Sequence, residues 1–113
     1  MPAGFLQKES IVDNNFVNWA VTSAASVAGV DPDVLVSPLR KWPLPMVRAM
    51  AYEYIYDMGF SYPQVGRIFG RSHSTIMLDK TRLNDLKEYD KEVRRMYRQF
   101  NERVHECELD SWL

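Results

Sequence analysis

Apolar residues recur at spacings of three and four along nearly all of this chain, and no stretch sustains the alternation that a half-buried strand requires. That pattern confines the fold to packed helices. Phe16, Trp19, Ala20, Ser23, Val27 and Val30 mark a first helix, and Gly29 supplies its stop. Asp31-Pro32-Asp33 reads as a cap with proline at the first helical position, opening a short turn of helix through Val36. Pro38, Pro43 and Pro45 forbid regular helix from Ser37 to Pro45, which leaves a loop with Arg40, Lys41 and Trp42 at its tip. Met46 to Met58 is the next helix, rich in Ala, Met and Tyr, and Gly59 stops it. All-α architecture with about six helices is the expectation.

A chain of 113 residues, 46% hydrophobic and 26% charged, can bury one core without metal or disulfide staples. The single cysteine, Cys107, excludes an internal disulfide framework and a multi-cysteine zinc site. The longest uncharged run, Asn14 to Val30, holds three Asn, one Thr and two Ser, too polar and too short for a bilayer span. The N-terminal residues lack the basic region and apolar stretch of a secretory signal, so a cytoplasmic protein without a membrane partner is expected.

Net charge is −1, yet residues 37–87 hold eight of the fourteen Lys and Arg against four of the fifteen acids. A basic block therefore sits between acidic flanks, and the local field governs docking more than the total does. Chance variation along a mixed surface explains such a block equally well. Charge alone does not choose the partner.

The segment from Ser61 to Leu78 chooses it. Ser61 is an N-cap with Gln64 three residues on to complete a capping box, and Pro63 sits in the first turn. Gly66 places a small residue where a second helix must cross closely, and Gly70 supplies the positive φ of a tight interhelical turn. Ile76 is apolar where the second helix plugs into the first. Ser72 caps that second helix, so the motif helices span residues 61–69 and 72–86. His73, Ser74 and Thr75 then occupy the turn that reaches base edges in a helix-turn-helix, with Arg67 and Arg71 beside them to meet phosphate. An ordinary αα corner shares the small-residue spacing but does not require the Arg-Ser-His-Ser-Thr run.

Val65-Gly66, Phe69-Gly70 and Arg71-Ser72-His73-Ser74-Thr75-Ile76 resemble the signature of the C-terminal DNA-binding domain (domain IV) of the bacterial replication initiator DnaA. Val27 to Leu35, the loop base at Arg40-Lys41 and Ala49-Met50-Ala51 match in order and spacing, so the resemblance covers residues 14–88. It implies an all-α domain with a helix-turn-helix of the Trp-repressor-like kind, on a bacterial or phage protein associated with the nucleoid. It also implies roles. Arg40 and Lys41 enter the minor groove, His73, Ser74 and Thr75 read the major groove, and Tyr62 and Pro63 approach the backbone. Three departures stand out: the turn is one residue shorter, Ser72 replaces an acidic residue, and Met46 replaces a basic one. A carboxylate selects a cytosine amino group more strictly than a serine does, so a looser DNA site is expected.

No ATP-binding loop is present. Gly66 to Ser72 is one residue short of that pattern and carries Arg71 in place of lysine, so no nucleotide partner is expected. Enzyme readings lack parts: His73 and His105 are the only histidines, and His105 and Cys107 lie on different helix faces. Neither a cofactor nor a metal is expected.

Leu83, Leu86, Val93, Tyr97, Phe100, Val104 and Cys107 continue a heptad seam through residues 89–113, broken only at Asp90. The seam either packs on the first helix, burying Phe16 and Trp19, or pairs two chains as a homodimer through Leu83–Cys107. Glu108 to Leu113 reads as a frayed tail, and Trp42 as an anchor for the basic loop. The functional expectation is a DNA-binding regulator of replication or transcription. Two alternatives remain: a phage DNA-packaging adaptor, and a protein-interaction module whose DNA site has decayed.

Overall fold

The computed structural model describes residues 15–112, and the side chains of residues 15–108. The expected N-terminal tail, residues 1–13, lies outside the described residues. Among the described residues there are six helices and no strand. They are α1 (Asn15–Ala28), α2 (Pro32–Leu35), α3 (Leu44–Asp57), α4 (Tyr62–Phe69), α5 (His73–Tyr89) and α6 (Lys91–Trp112).

Helix α3 is the centre of the core. Leu44, Met46, Val47, Ala49, Met50, Ala51, Tyr52 and Ile55 are all buried, so it is apolar nearly all round, as a surrounded helix must be. It packs against α1, α5 and α6. Its start lies two residues earlier than Met46, because Pro45 falls in the first turn, where a missing N–H leaves no gap in the hydrogen bonding.

Helix α1 meets α3 and α6 through Val17, Ala20, Val21, Ala24 and Ala25. Ala20 and Ser23 of the expected face are buried, but Phe16 and Trp19 are not, and the buried face extends one residue round to Val17, Val21 and Ala24. Alanines let the helices approach closely and leave the two rings at the rim. Phe16 is 37% exposed, edge-on to Trp19 with centroids 5.2 Å apart. Gly29, at φ 73°, ends α1, and the Val30 N–H reaches back to the Ala25 carbonyl at 3.0 Å. The Asp31 carboxylate makes no capping bond. Its main-chain carbonyl instead accepts from the Val34 and Leu35 N–H groups, and Pro32 has no N–H to offer.

The heptad seam does not form one helix. The chain turns at Asp90, whose Oδ1 accepts from the Val93 N–H at 3.0 Å and caps α6. Helix α6 then folds back along α5 and α1, burying Val93, Met96, Phe100 and Val104 within the same chain. Side-chain bonds fasten it. Trp42 Nε1 donates to Glu92 at 3.2 Å, Tyr54 donates to Glu108 at 2.6 Å, and Tyr97 donates to Glu53. Burial and the Glu53 carboxylate push the Tyr97 hydroxyl up to about 12, which keeps it a donor. Trp42 therefore does anchor the loop. The expected frayed end is helical as far as Trp112. No helix of the described residues is long and apolar enough to cross a membrane.

Candidate nucleic-acid interface

Helices α4 and α5 are joined by Gly70, Arg71 and Ser72. The capping box at the start of α4 is complete: Ser61 Oγ accepts from the Gln64 N–H at 3.3 Å, and Gln64 Oε1 accepts from the Ser61 N–H at 2.8 Å. Gly70 ends α4 at φ 62°, a left-handed conformation that favours glycine. Gly66 has a different reason. A Cβ there would lie 2.6 Å from the Arg71 carbonyl oxygen and 3.6 Å from Ile76 Cδ1. The turn therefore closes directly onto α4, which only a residue without a side chain permits, and the fully buried Ile76 lies in ordinary contact beside it.

Of the three residues expected to read bases, two face outward. His73 and Ser74 are exposed on the first turn of α5. Thr75 is half-buried, and its Oγ1 lies 3.1 Å from Ser72 Oγ. Ser72 Oγ also accepts from the Thr75 N–H at 3.2 Å, so both hydroxyls are engaged in capping α5.

Tyr62 does not stand free to approach a backbone. Its ring stacks between Tyr56, at 4.2 Å and 7°, and His73, at 5.3 Å and 27°. Lys80 Nζ donates to the Tyr62 hydroxyl at 2.8 Å and lies over both tyrosine rings. This ladder, from the end of α3 to the start of α5, braces the His73 imidazole from behind. Pro63 is exposed in the first turn of α4, and Arg67 is exposed with no hydrogen bond or ion pair among the described residues.

Arg71 is turned inward. Its Nη2 donates to the Ser37 carbonyl at 2.8 Å and its Nη1 to the Phe69 carbonyl at 3.3 Å. A second arginine, unsuspected from the sequence, does the same from below. Arg48 is 1% exposed; its Nε donates to the Leu35 carbonyl at 2.6 Å and its Nη2 to the Ser37 carbonyl at 2.9 Å. Two guanidiniums thus converge on one carbonyl oxygen and fix the root of the loop that presents Arg40 and Lys41, both exposed. Burial, then the neighbouring Arg71, lowers Arg48 from its ordinary value. The available signal for Arg48 was its place as the one basic residue of α3, among Met46, Val47, Ala49 and Met50.

Asp79 is the second residue that sequence reasoning missed. It falls on the stripe of Ile76 and Leu83 along α5 and is 9% exposed. Burial raises its carboxyl above the ordinary 3.8, against the pull of Arg82, Arg40, Arg71 and Arg48. The folded chain then holds this proton more tightly than the unfolded chain does. The stabilisation is complete below 3.8 and is lost as pH rises through the folded value. Asp79→Asn is therefore expected to abolish this decline, read as urea midpoints from about pH 3.5 to about pH 7. A variant that tracks the parent chain at every pH would remove Asp79 from the account.

Among the described residues no group of three His, Cys, Asp or Glu side chains is placed to hold a metal ion. No family model, curated protein or solved structure matches this chain.

Proposed function

We propose that the chain binds double-stranded DNA without catalysis, laying the first turn of α5 in the major groove and carrying Arg40 and Lys41 toward the adjacent minor groove. The observation that carries this reading is the start of α5. His73 and Ser74 stand exposed there, with the imidazole braced by Tyr62 and the α4–α5 crossing closed at Gly66. Arg67 on α4 and the loop at Arg40 and Lys41 add exposed positive charge for phosphate. Thr75 and Arg71 serve from inside, one capping the helix and the other holding the loop root. The resemblance to the initiator's DNA-binding domain supports a role in controlling replication or transcription.

Fluorescence anisotropy on a labelled duplex pool, from low to physiological salt, tests the reading. Affinity is expected to fall with rising salt, with a slope that counts phosphate contacts. His73→Ala and Arg40→Ala should each weaken binding by about tenfold, His73→Ala with relaxed sequence preference and Arg40→Ala with a shallower salt slope. A duplex bearing the initiator's own box belongs in the same series. Absence of binding at low salt would overturn the proposal and point to a protein partner.

A further inference from the structure

Beneath the loop lies a cavity of about 200 Å³, lined by Arg40, Pro45, Arg48, Arg71, Thr75, Asp79 and Arg82. Four of these seven residues are arginines, from the loop, α3, the turn and α5, and the single acid is Asp79. The charges do not neutralise one another in pairs. No guanidinium of this group lies within ion-pair distance of the Asp79 carboxylate or of any other acid among the described residues. The cluster repels itself: Arg71 and Arg40 both disfavour the charged form of Arg48. Like charges crowded around the buried Arg48, with Asp79 as the one opposing charge, are costly, and an anion seated among them favours the charged forms instead.

Donors also remain. Arg48 spends its Nε and Nη2 on carbonyls, and Arg71 spends both Nη atoms so. Arg48 Nη1 and the whole guanidiniums of Arg40 and Arg82 have no acceptor among the described residues. Planar N–H forks facing one small cavity suit a tetrahedral oxyanion, which takes several donors at once. The Thr75 hydroxyl, at the same wall, adds a neutral polar group. A divalent cation is excluded by the charge, and a bulky organic ligand by the volume.

We infer that this cavity is a phosphoryl-binding site, gripped by Arg40, Arg48 and Arg82 and weakened by Asp79. The ligand is a phosphate group, carried either on a nucleic-acid backbone or on a free anion. The first source rests on the DNA-binding reading; the second does not. Asp79 sets the strength of the grip, because its carboxylate removes one of the four positive charges and keeps the capture reversible.

The test follows the arginine Nε–Hε signals of the ¹⁵N-labelled full chain by NMR during titration with inorganic phosphate, and separately with a short duplex. Phosphate is expected to shift the Arg48 and Arg71 signals saturably. Arg82→Ala, an exposed side chain whose loss leaves the core untouched, should weaken that binding about tenfold. Asp79→Asn should tighten it several-fold. If the duplex produces the same shifts and competes with phosphate, the backbone is the source; if phosphate saturates and the duplex does not compete, it is a free anion. Both results support the site. No saturable shift with either probe, or unchanged shifts in Arg82→Ala, would overturn it. Duplex binding by anisotropy with no response in these signals to either probe would overturn the pocket while sparing the DNA-binding reading. Phosphate binding without any duplex affinity would do the reverse.

Discussion

Phe100→Ala is expected to destabilise the chain by about 3–5 kcal/mol, because a buried ring is lost and the helices around it relax only partly. Phe100 is 1% exposed, edge-on to Tyr54 with ring centroids 6.2 Å apart. Val93, Met96 and Val104 lie on the same buried face of α6. If that face is core of one chain, the loss appears as a single unfolding transition whose midpoint does not move with protein concentration. Urea unfolding across a wide dilution range reads both quantities. A midpoint that rises with concentration would show that α6 is held by a second chain instead, and a loss under about 1 kcal/mol would show that Phe100 is not part of the core.

Arg48→Met should cost about 3 kcal/mol, since it removes two charge-assisted bonds and leaves the Leu35 and Ser37 carbonyls short of a donor. Methionine keeps most of the volume, so the loss comes from hydrogen bonding more than from packing. The consequence for function is larger than for stability. With Arg48 gone, Arg71 alone holds the Ser37 carbonyl and the Leu35 bond is lost, so the root of the loop bearing Arg40 loosens. Duplex affinity should then fall at least as far as in Arg40→Ala, although Arg48 itself is buried. Stability measured by denaturant and affinity measured by anisotropy separate the two effects. A variant that loses stability but keeps full affinity would mean that loop position does not matter to binding.

The features legible in the sequence are those whose causes are local. Ser61 with Gln64, Ser72, Gly29 and Gly70 act over three or four residues, and each stands where the spacing placed it. Gly66 was legible as a point of close approach, though the group pressing on it is the Arg71 carbonyl of the turn and not the second helix. The face of α1 was not, because Phe16 and Trp19 overlap in register with Val17 and Ala20. Two apolar stripes lie side by side, and only the partner helices choose between them. The corner at Asp90 was visible as a break in the seam, but a lone acid among apolar positions reads equally as a tolerated interruption or a cap. The arginine cavity was least accessible. Arg48 reaches back thirteen residues to Leu35, and Arg71 thirty-four to Ser37. No spacing rule spans such distances.

The grip on Ser37 also bears on how such a chain can change over generations. Both arginines hold a main-chain oxygen, which every amino acid supplies, and neither bonds to a side chain of the loop. Pro38, Leu39, Arg40, Lys41 and Trp42 beyond it are exposed. Substitutions at Leu39, Arg40 and Lys41 alter what the loop offers to a partner while leaving its path intact; Trp42, bonded to Glu92, is the exception. The segment is therefore a variable finger on a fixed knuckle: new preferences can arise at its tip one mutation at a time, without the domain having to refold around them.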